Sequence, residues 1–404
     1  MIPQRPAWLD EPATKRLLAA LAAAGIAARF VGGCVRDALL DRPTSDIDLA
    51  TPAHPQDIVA ALKRARIRAV PTGIAHGTVT AVLKPRQFEI TTLRRDVETY
   101  GRHARVAFGA GWDEDAARRD FTINAIYLAP DGTLSDPVGG VADLAARRVR
   151  FVGDPATRIA EDVLRILRYY RFEARFGGGA GDAAARAACR AAADALATLS
   201  AERVWRELSR LLAGPDPVRV LAMMREDGVL AAILPEASRL DRLERLLPLS
   251  GDPLLRLAAL VAVDPPGALA LAERLRLSRA ERTRLAGLAE PWPLDPARDR
   301  ADDPIAQRRA LYALGVPRYR DLARLAAAQG RLAPERLAAL LDLAERWRPP
   351  AFPLRGADVT ALGIAPGPRV GRLLGAVRRW WEDGDFAADR AACLDRLKDL
   401  AARS

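Results

Sequence analysis

Cysteine is scarce: three residues, Cys34, Cys189 and Cys393, stand far apart in a chain of 404. That excludes a disulfide framework and a cysteine-rich zinc pattern, and it predicts reduced, structural thiols. Histidine is equally rare, and none of the three is followed by aspartate, so nothing marks an appended His-Asp phosphohydrolase domain. Long apolar runs are missing too. The longest, such as Leu254–Val263, is broken by Arg256 and falls short of the ~18–20 apolar residues of a membrane span. Met1–Pro6 carry no apolar core of the kind a secretory signal needs, no lipidation motif stands at either end, and the expected location is the cytoplasm. Lysine is nearly absent, at four of 62 cationic residues (Lys15, Lys63, Lys84, Lys398). Arginine has displaced it and alanine abounds, a pattern of nucleotide-composition bias. The formal charge of +11 therefore has two readings, a polyanionic partner such as RNA or that bias alone.

What is present is an ordinary globular balance, 50% hydrophobic and 28% charged, long enough for two to four compact units at roughly 100–200 residues each. Residues 26–93 read as α/β. Ile26–Val31 is a short apolar strand, Gly32-Gly33 a turn and Val35–Leu40 the start of a helix. Ile47–Ala50 is a further strand, and Gly77–Leu83 and Phe88–Leu93 form a hairpin around Lys84–Gln87. Arg94–Glu114, with three glycines and no clear period, reads as a mobile loop. From Asp115 onward strand signals nearly disappear, and Ala, Leu and Arg recur at helical spacing to the end, with a Pro-rich break at Pro291–Pro304.

The chemistry concentrates in the α/β part. Gly32-Gly33-Cys34-Val35-Arg36-Asp37 lies between strand and helix, where glycines admit a close phosphate, helix N–H groups face outward and Arg36 can fork onto phosphate oxygens. A purely structural turn is the competing reading. In Ser45-Asp46-Ile47-Asp48-Leu49-Ala50-Thr51, strand alternation puts Asp46 and Asp48 on one face while Ile47 and Leu49 enter the core. Carboxylates about 6.6–6.8 Å apart along a strand can bridge two Mg²⁺ ions roughly 3.5–4 Å apart. Glu89, in Phe88-Glu89-Ile90-Thr91-Thr92, is the candidate third acid, with a solvated strand residue as the alternative.

These two motifs are followed by Arg118-Arg119-Asp120-Phe121-Thr122-Ile123-Asn124-Ala125, by Asp136-Pro137-x-Gly139-Gly140-x-x-Asp143-Leu144, and by Arg158-Ile159-x-Glu161-Asp162-x-x-Arg165-x-x-Arg168. In this order over residues 30–172 they resemble the class II tRNA nucleotidyltransferases and bacterial poly(A) polymerases of the polymerase-β superfamily. The resemblance implies an α/β nucleotidyltransferase head, a small mixed sheet with helices, followed by an all-α neck, body and tail. The corresponding divisions are residues 1–137, 138–213, 214–348 and 349–404. It further implies that Gly32, Gly33 and Arg36 bind the triphosphate and that Asp46 and Asp48 hold a two-Mg²⁺ site. Arg119 and Asp120 would contact the ribose, and Asp162, Arg165, Arg168 and Arg171 the incoming nucleotide. The implied reaction adds C, C and A to the 3′ end of tRNA from CTP and ATP. A poly(A) polymerase on the same scaffold is the nearest rival, and a non-catalytic RNA-binding protein that kept the fold is a rival of another class. Gly73-Ile74-Ala75-His76-Gly77-Thr78 resembles the tRNA side of the family. The stretch Asp96–Glu114 corresponds to a loop linked there to the switch to A addition.

The segment that would read the base shows its own periodicity. Ile159, Val163, Ile166 and Tyr170 recur as a buried helical stripe, leaving Asp162 and Arg165 neighbours on another face and Arg171 pointing away. Cytosine and adenine each present an amine beside a ring-nitrogen acceptor. A carboxylate can accept from the amine while a guanidinium donates to the ring, and uracil and guanine reverse the pattern. Side chains alone can thus admit CTP and ATP without a template. Glu202–Leu208 is an amphipathic helix, read as core. Near the C-terminus, Leu362–Gly371 with Arg369 and Arg372 offers N–H groups and cations to RNA phosphates, with a plain helix connection as the alternative.

Overall fold

The computed structural model describes residues 6–403 apart from 45, 74–76, 101–102 and 294–302. Residues 74–76 of the Gly73–Thr78 motif, and most of the Pro-rich break, thus lie outside the described residues. Two compact units divide the chain, Met1–Pro235 and Glu236–Ser404. No helix among the described residues is long and apolar enough to cross a membrane.

The first unit opens with a mixed sheet and helices. Its strands are β1 (Arg29–Val31), β2 (Ile47–Thr51), β3 (Arg68–Gly73), β4 (Thr78–Leu83), β5 (Arg86–Thr92), β8 (Tyr127–Leu128) and β9 (Leu134–Ser135), in the order β3-β4-β5-β2-β1-β8-β9. Only β2 and β5 run parallel, with Ile47 opposite Phe88 and Asp48 opposite Glu89. Because side chains alternate, Ile47, Leu49, Phe88 and Ile90 enter one core with Phe30, Ile58, Leu62 and Val79, while Asp48 faces the other way. Residues 26–28 stay out of the ladder although they are apolar. There the Ala27 carbonyl accepts from the Thr51 hydroxyl (2.7 Å) instead of from a strand backbone.

Arg94–Glu114 corrects the expectation of a loop. It forms an antiparallel two-stranded ribbon, β6 (Arg94–Tyr100) and β7 (His103–Phe108), and then the helix Trp112–Ala117. A ribbon outside the main sheet pairs through its backbone and needs no alternation of apolar residues, so hydropathy does not reveal it. The ring of Phe108 meets His54 edge-on (5.2 Å). The helix that follows starts at Gly111, whose N–H donates to Glu114 (2.8 Å).

The Asp136–Leu144 motif has a structural explanation. Asp136 accepts from the N–H groups of Gly140 (2.7 Å) and Val141 (2.9 Å). A Cβ on Gly140 would stand 2.1 Å from the Thr122 carbonyl oxygen, so only glycine fits. Asp143 is fully buried and accepts from Thr122 Oγ1 (2.7 Å), Arg148 Nε (2.7 Å) and Arg150 Nε (2.9 Å). The motif clamps the turn that carries Arg119, Asp120 and Asn124.

The single helix expected through Ile159–Tyr170 is broken. Asp162 is extended (φ −152°, ψ 107°) between the helices Pro155–Glu161 and Leu164–Phe176. Its carboxylate accepts from the Leu164 N–H (3.1 Å), the local competition by which short polar side chains end helices. Ile159, Ile166 and Tyr170 are buried as the stripe predicts, while Val163, next to the break, is only half-buried. The helix Ala201–Leu212 packs along Leu164–Phe176.

Among its described residues the second unit holds helices and their connections, with one isolated bridge, Ala237 to Val261. Its last part has its own core of Leu354, Val359, Leu373, Val377, Trp381, Cys393 and Leu397. All three cysteines are buried and unpaired.

Candidate active site

Strand β1 ends at Val31, and Gly32 takes φ 77° to turn the chain into the helix Gly33–Leu39. A side chain there would be strained whatever the space around it. Arg36, one turn in, is buried and fixed. It donates through Nε (3.0 Å) and Nη2 (2.9 Å) to Asp37 and through Nη1 to Asn124 Oδ1 (2.5 Å), and it lies 4.0 Å above the Phe176 ring.

The acids sit beside this turn on β2. Asp46 is exposed just ahead of the strand, Asp48 is half-buried, and the parallel neighbour places exposed Glu89 opposite Asp48. Burial pushes the Asp48 carboxyl up to about 6, with Glu89 and Asp46 adding to the rise and Arg119 opposing it. Among the described residues no cluster of three or more His, Cys, Asp or Glu side chains forms a complete metal cage. The donor set fits Mg²⁺ nonetheless, since that ion usually takes one or two protein carboxylates and completes its shell with water and substrate phosphate. A carboxyl held up by burial and by two like charges is one that a cation would bring into its ionised form.

Across the turn, four side chains form a continuous relay. Asn124 accepts from Arg36 and donates through Nδ2 to Asp120 Oδ1 (3.0 Å), while Asp120 Oδ2 accepts from Arg168 Nε (2.9 Å). Burial acts to raise the Asp120 carboxyl, but Arg168 and the N–H groups of Asn124 and Phe121 override it and hold it down at about 2. The phosphate-type turn is thereby joined to the helix Leu164–Phe176. Arg119 is held from the other side by Asp115 (Nη2, 2.9 Å) and Tyr127 OH (3.3 Å).

The pair expected to read the base is not a pair in this structure. Asp162 accepts from Arg203 Nη2 at 3.0 and 2.9 Å through its two oxygens, whereas Arg165 bonds Glu161 and the Arg158 carbonyl (2.8 Å). Arg171 bonds Glu207 (2.6 Å). Asp162 and Arg165 therefore each carry a different ionic partner, and neither is a lone buried charge. Asn124 and Glu161 stand inside the quoted motifs and could have been singled out there. Arg203 could not, because it sits on a helix whose amphipathic pattern signals only packing. Arg369 and Arg372 belong to the helix Pro368–Asp383 of the second unit, both exposed, with Arg369 Nη2 donating to the Ala401 carbonyl (3.4 Å).

A mixed sheet with a glycine turn, same-face carboxylates on the adjoining strand and an Arg/Asp relay to a helical neck has the layout of a polymerase-β-type nucleotidyltransferase. Residues 28–150 match the poly A polymerase head domain, and residues 182–240 match a domain described as a probable RNA and SrmB-binding site of polymerase A. The mitochondrial CCA tRNA nucleotidyltransferase 1 of Mus musculus is 34% identical over 389 residues, covering 92% of this chain and 86% of its own. The CCA-adding enzyme of Streptococcus gordonii is 31% identical over 393 residues, covering 95% and 96%. The crystal structure of Bacillus stearothermophilus CCA-adding enzyme in complex with CTP matches with a TM-score of 0.80 and 28% identity, covering 97% of this chain and 98% of that one. The chain belongs to the class II CCA-adding tRNA nucleotidyltransferase family.

Proposed function

We propose that this chain extends the 3′ end of tRNA by C, C and A, using CTP and ATP and releasing pyrophosphate. The observation that carries the reading is the convergence of Asp46, Asp48, the Gly32 turn and the Arg36–Asn124–Asp120–Arg168 relay on one edge of the sheet. Asp46 and Asp48, with Glu89 beside Asp48, would hold two Mg²⁺ ions, which when bound supply Lewis-acid stabilisation of the charge on the attacking and leaving oxygens. Gly32, Gly33 and Arg36 take the triphosphate: the glycines leave room, and Arg36 is already fixed by Asp37, Asn124 and Phe176, so little entropy is lost on binding. Arg119 and Asp120 face the sugar. Asp162 accepts from the amine of C or A and Arg165 donates to the ring nitrogen, each steadied by its ionic partner, with Arg168 and Arg171 on the same helix. The head spans residues 1–137, the base-selecting neck 138–213, the body 214–348 and the RNA-holding tail 349–404. Buried, unpaired cysteines accord with a cytoplasmic setting.

The test supplies tRNA ending at its discriminator base with each nucleotide singly and in pairs, and sizes the products. Addition of two C residues from CTP and of a terminal A only when ATP is also present is the expected result. Runs of A would convert the reading to poly(A) addition, and no extension at all would leave an RNA-binding protein. Asp48→Ala should abolish addition while leaving tRNA binding intact.

A further inference from the structure

Asp115 carries a charge where the fold offers it almost no water, at 1% exposure. Its carboxylate is saturated by donors. Oδ2 accepts from Arg119 Nη2 (2.9 Å), from Arg119 Nε (3.2 Å) and from the Tyr127 hydroxyl (2.7 Å), while Oδ1 accepts from Arg118 Nε (2.9 Å). Burial acts to raise this carboxyl, and the charges of Arg119 and Arg118 outweigh it. With two of its three nitrogens committed to Asp115, the Arg119 fork has a single defined orientation. Nη1 lies 3.5 Å from the Asn124 carbonyl and 3.9 Å from where a Cβ on Gly32 would stand, so it points at the phosphate-type turn. The charge of Arg119 also reaches Asp48.

We propose that Asp115 is a positioning residue of the nucleotide site, holding the Arg119 guanidinium toward the Gly32 turn and keeping it off the Asp48 carboxylate. The inference rests on the nucleotidyltransferase reading above. Two N–H donations to one oxygen of a buried carboxylate fix an arginine that would otherwise sample many rotamers, and they satisfy the cation so that it does not seek another acid. Without Asp115, Asp48 is the carboxylate already in Arg119's field. Pairing with it would take a metal ligand out of use and withdraw a donor from the nucleotide in one movement. Asp115 stands on the helix Trp112–Ala117, next in the chain after the β6–β7 ribbon.

Asp115→Asn in the full chain tests this. It keeps the shape but puts an amide N–H₂ where only acceptors fit. The KM for CTP should rise about tenfold, the scale of one lost charge-assisted hydrogen bond, with the KM for tRNA unchanged. Binding of Mn²⁺ in the absence of nucleotide, followed by electron paramagnetic resonance, should weaken in the same variant. Asp115→Glu restores the charge and should recover most of the CTP affinity. In a double-mutant cycle, Asp115→Asn combined with Arg119→Ala should show the CTP KM of Arg119→Ala alone. A lowered Tm with wild-type CTP KM and wild-type Mn²⁺ affinity, measured well below that Tm, would overturn the proposal and make Asp115 a structural ion pair. Should Asp115→Asn not fold, Tyr127→Phe removes one donor from Asp115 and one acceptor from Arg119 with every charge intact. A CTP KM raised about threefold is expected from it, and an unchanged KM refutes the proposal. A wild-type chain unable to extend tRNA would sink the nucleotidyltransferase reading alone, because Mn²⁺ binding, which needs no turnover, still decides the role of Asp115.

Discussion

Glu173, on the helix Leu164–Phe176, is 1% exposed, and its carboxyl, near the Val149 N–H and the Tyr169 hydroxyl, makes no hydrogen bond of good geometry. Arg219 Nη1 stands 3.7 Å away, too far for a hydrogen bond. Burial pushes this carboxyl from 4.5 up to about 7. The folded chain thus keeps a proton between those values that the unfolded chain releases, and stability falls as pH rises through that window. Glu173→Gln should be neutral near pH 5 and should stabilise the protein by about 1–3 kcal/mol at pH 8, read by urea unfolding at both pH values. An equal effect at the two pH values would show that packing rather than charge is responsible. Nothing in Phe172-Glu173-Ala174-Arg175 distinguishes this acid from a solvated one, and the same holds for Asp115, because a charged residue in a helix is read as exposed until its neighbours from elsewhere in the chain are known. The placement of Asp48 on the face opposite Ile47 and Leu49 was legible because alternation along one strand is local. That Glu89 lies opposite Asp48 depends on the parallel register of β2 and β5, which pairing rather than spacing decides.

At the scale of elements, the break at Asp162 changes what a substitution there should do. A continuous helix would make Asp162 and Arg165 a facing pair, so that removing one strands the other. The extended residue instead lets Asp162 reach Arg203 on the helix Ala201–Leu212 while Arg165 stays with Glu161. Asp162→Ala should therefore raise kcat/KM for UTP relative to CTP about tenfold by removing oxygen–oxygen repulsion. Arg203→Ala should shift the same ratio in the same direction by less, since Asp162 remains but is no longer held. The double variant should match Asp162→Ala. Four nucleotides on one tRNA acceptor give the ratios, and lowered rates with unchanged ratios would make the pair structural. Helix boundaries set by a side chain capping its own backbone are poorly visible in periodicity, since the apolar stripe continues across them: Ile159 and Ile166 are both buried on either side of the break. The β6–β7 ribbon went unread for the complementary reason, that its pairing is carried by backbone and not by an apolar face.

At the scale of the whole molecule, the α/β head announces itself by motif and alternation, and the helical remainder by composition, yet what the remainder does is written only in its surface. The core around Trp381 and Leu397 also packs Tyr312, and Arg308 bonds Asp385 through Nε (2.6 Å), so the C-terminal helices are fastened to the helix Pro304–Leu314. Deleting residues 353–404 should raise the KM for tRNA far more than that for CTP, but it also uncovers Tyr312 and strips Arg308 of Asp385. A point change is cleaner. Arg369 and Arg372 lie on one helix three residues apart, hence on one face, and Arg372 is exposed. If that face tracks RNA phosphates, each contact contributes about 0.7–0.9 to the slope of log affinity against log salt. Arg372→Gln should lower the measured slope by about that amount, weaken tRNA binding several-fold at low salt and leave the KM for CTP unchanged. Arg369→Gln should do the same, with a small loss of stability from the Ala401 contact. Filter binding of tRNA across a salt series measures both quantities, and a slope identical to wild type in both variants would mean that this face does not carry the RNA.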